Sequence, residues 1–269
     1  MKMITIRNAD LIDQIIEELK SAGNKVLSNC YLDVGEMQHL AQSERLQGVY
    51  EESAYLNLLC QEDSFQRLYF YIAKPEQYKC DVSGGLIADV FYRKTLEQAS
   101  VKTAIQALES AGFESGDTYT RWSCPVGADA TRNVDSEIGF EIDSDWFSLL
   151  YRCFDKYQDY LPLQEDWERY VAGHSFIRYP IDGPPAGGAA WTKKGSIVTV
   201  EHIFTAPEQR GRGVGSFLYK QLLATAYAPD EKGKMIAWIN DANQSSIALH
   251  SAFGYKKDVM KKMVMKKGL

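Results

Sequence analysis

The chain has 269 residues, 45% of them hydrophobic and 25% charged, values at which a polypeptide buries a core and is neither disordered, collagenous nor low in complexity. Its length points to about two domains. Thirty Lys and Arg against 36 Asp and Glu leave a net charge of −6, so the basic surface that non-specific nucleic-acid binding requires is missing.

In chain order, Asn8 to Ala22 carries a helical pattern, with Leu11, Ile15 and Leu19 four apart and Gly23 as the stop. A second helix is expected from Val34 to Arg45. Apolar runs Ala54 to Cys60, Arg67 to Ala73 and Leu86 to Tyr92 predict strands, with a turn-rich stretch Glu76 to Gly85 before the last. Ser100 to Ala111 predicts a helix closed by Gly112, and Asp117 to Trp122 a strand. Ser123 to Asp135, with Pro125, Gly127 and small polar residues, has the composition of a linker, which puts a domain boundary near 130 and divides the chain into 1–130 and 131–269.

The second half opens with helices over about Asp145 to Asp155 and Leu163 to Ala172 and continues with strands Phe176 to Tyr179 and Gly188 to Trp191 around the turn Asp182-Gly183-Pro184-Pro185. A β-rich run Ser196 to Thr205 stops at Pro207. Arg210-Gly211-Arg212-Gly213-Val214-Gly215 then leads into an amphipathic helix with Val214, Leu218, Leu222 and Ala226 on one face. Met235 to Ile239, Gln244 to Ala252 and Met260 to Lys266 follow as strand, helix and strand. The order of this half is α, α, β, β, β, α, β, α, β.

Five cysteines, Cys30, Cys60, Cys80, Cys124 and Cys153, contain no C-x-x-C pair, which fits neither a zinc site nor a disulfide framework and suits reduced thiols in a cytoplasmic protein. The N-terminus meets Asp10 before any apolar stretch long enough for a signal peptide, and no run of 18 apolar residues occurs. No membrane span and no metal are expected.

Alternating glycines between a strand and a helix leave backbone N–H groups free at a positive helix end, a ready site for phosphate or pyrophosphate. No Lys-Ser/Thr follows the last glycine, which excludes a Walker A loop, and Ser216 stands where a dinucleotide fingerprint needs its third glycine. A nucleotide held without metal or ribose acid remains, beside the alternative of a tight turn that binds nothing.

The spacing Arg210-x-x-Gly213-x-Gly215 after a strand resembles the pyrophosphate loop of the GNAT superfamily of acyl-CoA N-acyltransferases. Downstream, Asn243-x-x-Ser246-x-x-x-His250-x-x-x-Gly254-Tyr255 is similar to that family's closing helix. The resemblance covers about Asp145 to Lys267. It implies an α/β (α+β in some schemes) GNAT fold, a mixed, mostly antiparallel sheet flanked by helices, holding acetyl-CoA or another acyl-CoA between two splayed strands, Thr199 to Thr205 and Met235 to Asn240. The residues it places around that co-substrate are Ile203, Phe204, Thr205, Gln209, Arg210, Gly211, Arg212, Gly213, Val214, Gly215, Ser216, Asn243 and Ser246. The activity it implies is transfer of an acetyl group to a primary amine by direct attack. The acceptor is a small molecule such as an amino acid, or a protein N-terminus or lysine. A non-catalytic acyl-CoA sensor is the competing reading.

An alkylammonium is neutral about one part in a thousand at pH 7, so an amine acceptor benefits from a base. Glu201, in the strand ahead of the loop, matches the glutamate that family members use for this, the alternative being an ion-paired or solvated residue. His202 is expected on the opposite strand face, because side chains alternate. His250 stands where many members carry a tyrosine that protonates the leaving thiolate. It is either that acid or a contact to the CoA arm. Tyr255 is expected to pack. Six lysines between Lys256 and Lys267 make the tail basic, which suggests a solvated strand face.

Ile105-x-x-Leu108-x-x-Ala111-Gly112-Phe113 aligns with Ile247-x-x-His250-x-x-Phe253-Gly254-Tyr255, each preceded by an apolar strand, the mark of an internal repeat. The first half carries no Arg-x-x-Gly-x-Gly and no long helix between its last two predicted strands. It is therefore expected to be either a second, degenerate GNAT-like domain that has lost the acyl-CoA site or an unrelated α+β domain.

Overall fold

The structure is a computed structural model that describes residues 2–21, 25–96, 98–127 and 134–269. The expected helix stop at Gly23 and part of the expected linker lie outside the described residues. Contacts divide the chain into two compact units, Met1–Thr118 with Met260–Leu269, and Tyr119–Val259. The boundary at 130 therefore lies beyond the observed division. That division falls inside a strand because Tyr119 to Val126 pair with a strand of the second unit, and a composition shift cannot show such a hand-over.

The first unit runs β1 (Lys2–Thr5), α1 (Ala9–Ser21), β2 (Leu27–Ser28), α2 (Val34–Gln42), β3 (Leu46–Glu51), β4 (Tyr55–Gln61), β5 (Gln66–Ile72), β6 (Leu86–Arg93), α3 (Ala99–Ser110) and the start of β7 (Glu114–Val126). The end of β12 (Lys256–Lys267) completes its sheet, in the order β1-β3-β4-β5-β6-β12. Alternation along the strands feeds two cores. Leu68, Phe70, Ala88 and Val90 pack with Ala104 and Leu108 of α3, while Leu56, Leu58 and Tyr69 pack with Ile12, Ile15 and Leu40 of α1 and α2. Asp33 caps α2 reciprocally with Glu36, a capping box. The predicted helices and strands of this half appear within a few residues. β1, β2 and β3 were not anticipated. β3 is hidden by its own Gly48, which faces Ile4 across the β1–β3 ladder and has no room for a Cβ, since one would meet Ile4 Cγ1 at 2.6 Å.

The second unit holds the rest of β7, α4 (Ser144–Cys153), α5 (Trp167–Gly173), β8 (Ser175–Tyr179), β9 (Gly187–Lys194), β10 (Ile197–Thr205), α6 (Val214–Ala226), β11 (Gly233–Asn240), α7 (Gln244–Ala252) and the start of β12. Its sheet order is β7-β11-β10-β9-β8, with β10 and β11 parallel and the other pairs antiparallel. Trp191, Val198, Val200 and Met235 pack with Leu218, Tyr219 and Leu222 of α6. Phe176, Ala190 and Phe204 pack with Trp146, Phe147 and Leu150 of α4.

The repeat seen in the sequence is also a repeat of backbone geometry. Leu108 and His250 are both buried. The Phe113 N–H donates to the Leu108 carbonyl at 3.0 Å and the Tyr255 N–H to the His250 carbonyl at 3.1 Å, and the glycines between have φ of +88° and +80°, the left-handed helix stop in both places. The basic tail is a solvated face only at its start, where Lys256 and Lys257 are exposed. Lys262 is buried beside Asp89, and Lys267 Nζ donates to the Cys80 and Ala111 carbonyls at 2.7 Å, closing the end of α3. The five cysteines form no disulfide. Among the described residues no helix is long and apolar enough to cross a membrane, and no metal-holding group of His, Cys, Asp and Glu occurs.

Candidate functional site

β10 and β11 pair in parallel from Ile197–Lys234 to Val200–Ala237 and then part. The opening leaves one backbone edge of the last residues of β10 without a strand partner, and at its end the Thr205 carbonyl accepts from Arg210 Nε at 3.4 Å and Cys153 Sγ at 3.6 Å. Beyond Pro207–Gln209, a single 3-10 turn, the chain reaches α6 through Gly211 and Gly213, at φ of +77° and +83°. A Cβ at either would meet nothing within 4 Å, so it is the left-handed backbone and not crowding that calls for glycine. Gly213 is the N-cap of α6 and no side chain caps that end. The first N–H groups of a 13-residue helix are thus left for an anion, where the helix dipole is positive.

A cleft of about 460 Å³ opens here, and it gathers the expected ligand contacts. Ile203, Phe204, Thr205, Gln209, Arg210, Gly211, Gly213, Val214, Gly215, Ser216, Asn243 and Ser246 all line it. Arg212 does not and is exposed. Asn243 is the N-cap of α7. Its Oδ1 accepts the Ser246 N–H at 3.0 Å, and its Nδ2 donor is available for a ligand. Four lining residues were not anticipated, Cys153, Phe154, Ser245 and Leu249. Ser245 and Leu249 are four apart on α7 and helical periodicity would have found them. Cys153 and Phe154 close α4, and no local pattern marks them. Burial pushes the Cys153 thiol up, although Arg210 beside it opposes the shift.

Glu201 does not line this cleft but stands two residues before its first β10 residue, Ile203, just above the point where β10 leaves β11, in a β-bulge. Val200 faces Trp191 of β9 and His202 faces the next residue, Ala190, which leaves Glu201 as the extra residue. The bulge reverses the expected alternation. Val198 and Val200 point into the α6 core, whereas Phe204 points into the α4 core. His202 lies on that α4 side against Phe154, 5.0 Å between ring centroids. Glu201 is on the same side, where Thr192 Oγ1 donates to its Oε1 at 3.3 Å. His202 therefore shares Glu201's face, contrary to the regular-strand expectation. The Glu201 side chain reaches solvent, yet the protein packed around its carboxyl raises its pKa above the usual carboxylate range, with Thr192 and Lys194 opposing.

His250 does not line the cleft. It is buried at 2% exposure, edge-on to Tyr219 and Tyr255. Its Nδ1–H donates to the Ser246 carbonyl at 2.8 Å. Nε2 has no hydrogen-bond partner among the described residues, and burial lowers its pKa. A neutral ring with its one proton committed to the helix is a core residue by placement. Ser246 Oγ, 3.3 Å from Nδ1, consequently has no free base beside it. Tyr255 is buried in the α6 core.

In the first unit β5 and β6 also pair in parallel, at Gln66–Leu86 and Arg67–Ile87 only, and then part. Here the opened edge of β5 is filled by the chain itself. Leu27 and Ser28 pair with Ile72 and Tyr71, and buried Asn29 donates Nδ2 to the Leu68 carbonyl at 3.0 Å and accepts the Phe70 N–H at 2.7 Å. Between β5 and β6 the only helical turn is Pro75–Gln77. Neither the open edge nor the helix end of the other unit exists at this place.

Residues 141–255 match the acetyltransferase (GNAT) family. No curated protein matches the chain in sequence. In fold, the chain is similar to a GCN5-related N-acetyltransferase from Sphaerobacter thermophilus, 10% identical with a TM-score of 0.55, over 98% of this chain and 95% of that one. It is also similar to a tandem GNAT protein from the clavulanic acid biosynthesis pathway, 12% identical with a TM-score of 0.55, over 98% and 97%. A glucosamine N-acetyltransferase region of a fungal multi-domain GH3 β-N-acetylglucosaminidase gives a TM-score of 0.59 at 12% identity, over 98% of this chain and 38% of that one. These likenesses span both units, so the fold is that of two GNAT-like halves.

Proposed function

We propose, from the GNAT-family domain that residues 141–255 form, that the protein is an N-acetyltransferase that moves an acetyl group from acetyl-CoA to a primary amine. The observation that carries this reading is the cleft where the parted β10 and β11 meet the uncapped, glycine-led N-terminus of α6. The residues fit the co-substrate. The α6 N–H groups and Arg210 suit a pyrophosphate, and the free edge of β10 with Asn243 Nδ2 suits the amides of the pantetheine arm. Acetyl-CoA supplies the activated thioester. The chain supplies position and a base.

Glu201 is that base. Its raised pKa brings it closer to the working range of a general base than an ordinary surface carboxylate. It takes a proton from the ammonium, directly or through one water, and the neutral amine nitrogen then attacks the thioester carbonyl. The C–N bond forms, the nitrogen gives its second proton to solvent, the C–S bond breaks, and the thiolate leaves with a proton from solvent, since His250 is not at the cleft. The acceptor is a small amine, and the acidic chain suits a cationic one.

A second reading, an acyl-CoA-binding module without turnover, is favoured by one observation, the burial of His250 away from the leaving group. Thiol release from acetyl-CoA across a panel of amino acids, polyamines and aminoglycosides separates the two. Saturable release that falls at least a hundredfold in Glu201→Gln, with CoA affinity unchanged, is the expected result. CoA binding without release on any amine would favour the second reading.

A further inference from the structure

The second unit contains a further group of titratable side chains on the α4 side of β10. Tyr170, on α5, has its hydroxyl 2.9 Å from His202 Nδ1. His174 stacks on the Tyr170 ring, 4.0 Å between centroids, with its Nδ1 2.8 Å from the Tyr170 carbonyl. Phe154, which lines the cleft, closes over the other side of His202. Tyr170 is also within electrostatic reach of the Glu201 carboxylate. The bulge at Glu201 makes this grouping possible, because it turns Glu201 and His202 to one face.

α5 itself has little to hold it. None of its residues is buried. It is attached through the Trp167 ring stacked on Phe147, the Trp167 Nε1–H donated to the Tyr151 hydroxyl at 3.1 Å, the Tyr170 ring against Phe147 and Phe176, and the hydroxyl bond to His202. Burial drives the His202 pKa down to about 3, with His174 adding to the shift. The ring is therefore neutral near pH 7 and one of its nitrogens can accept.

We propose that Tyr170 binds the acceptor amine beside Glu201, and that His202 is the positioning residue whose Nδ1 accepts a hydrogen bond from the Tyr170 hydroxyl and so turns the phenol oxygen's lone pairs toward the incoming ammonium. The inference rests on the acyl-transfer reading and deepens it. An ammonium has three N–H donors. Glu201 accepts from one, Tyr170 Oη from a second, and no proton moves through Tyr170 or His202. The subsite selects a primary ammonium over a hydroxyl, because a carboxylate paired with a phenol oxygen whose own proton is already committed offers only acceptors.

The test compares Tyr170→Phe, His202→Leu and His202→Asn, the last keeping an acceptor oxygen near the place of Nδ1, on the full chain with acetyl-CoA and the best amine of the panel. Tyr170→Phe and His202→Leu are each expected to raise the acceptor KM roughly tenfold, about the worth of one hydrogen bond to a charged donor. The KM for acetyl-CoA should stay within about twofold, the double variant should be no worse than either single one, and His202→Asn should recover most of the loss. Unchanged acceptor KM in both single variants would overturn the subsite and leave acyl transfer standing. So would equal losses for acetyl-CoA and amine, which mark a general structural defect. CoA binding without any saturable amine would also overturn it, whereas loss of CoA binding in the unaltered protein would remove the functional reading itself.

Discussion

Asn29→Ala tests the claim that the first unit closes its own groove. The substitution deletes two hydrogen bonds to β5, one to the Leu68 carbonyl and one from the Phe70 N–H. Nothing nearby replaces them, because β6 reaches only Gln66 and Arg67, and β2 only Tyr71 and Ile72. Both β5 residues are at most 1% exposed, so two backbone groups would be buried without partners at roughly 1–3 kcal/mol each. The expected loss is about 3 kcal/mol, with water reaching one of the groups at the low end. Urea unfolding of the two proteins would read the total. Hydrogen exchange of a peptide containing Phe70 would read the site, where protection should fall on the order of a hundredfold. A loss under about 0.5 kcal/mol, the size of a surface substitution, together with unchanged exchange at Phe70, would refute the reasoning and mean that this edge is open.

Other predictions concern the second unit. Activity that depends on the unprotonated Glu201 should rise with pH through a midpoint above the usual carboxylate range, because the packing around it raises its pKa. In Glu201→Gln that limb of the kcat/KM profile should vanish. His202 is held near a pKa of about 3 against an ordinary 6.5. Between those values the unfolded chain binds a proton that the folded chain does not, so stability falls as pH falls below 6.5, by about 2 kcal/mol at pH 5 from this residue. Urea unfolding at pH 7.5 and 5.0 should show that the drop shrinks by this amount in His202→Asn, and an equal drop in both proteins would contradict it. Gly213→Val forces a β-branched residue to φ of +83° at the mouth of the cleft. It should weaken acetyl-CoA binding at least tenfold by calorimetry.

The parts of the site that a contiguous motif encodes were legible from residues alone. Arg210 to Gly215 and Asn243 to Ser246 are loop and helix-cap segments whose backbone chemistry is local, and the structure brings nearly all of them to one cleft. The repeat was legible for the same reason, since a glycine stop after a buried helix residue leaves the same local pattern at Leu108 and at His250. Features set by pairing between distant segments were not. The bulge that puts His202 beside Glu201 depends on the register against β9. The plug formed by Asn29 depends on β5 being 39 residues away in sequence. The division inside β7 depends on which strand each half of it pairs with. His250 shows the limit of a motif match, because its position in the closing helix was correct while its burial is decided by Tyr219 and Tyr255 around it.

Calorimetric titration of the intact chain with acetyl-CoA tests the account most directly. With one unit presenting an open strand edge and a free helix end, and the other filling that edge with Asn29, the account predicts saturable binding at one site per chain, abolished or sharply weakened in Gly213→Val and unchanged in Tyr170→Phe. Two equivalent sites per chain would contradict the closed groove of the first unit, and no binding at all would contradict the assignment of the cleft.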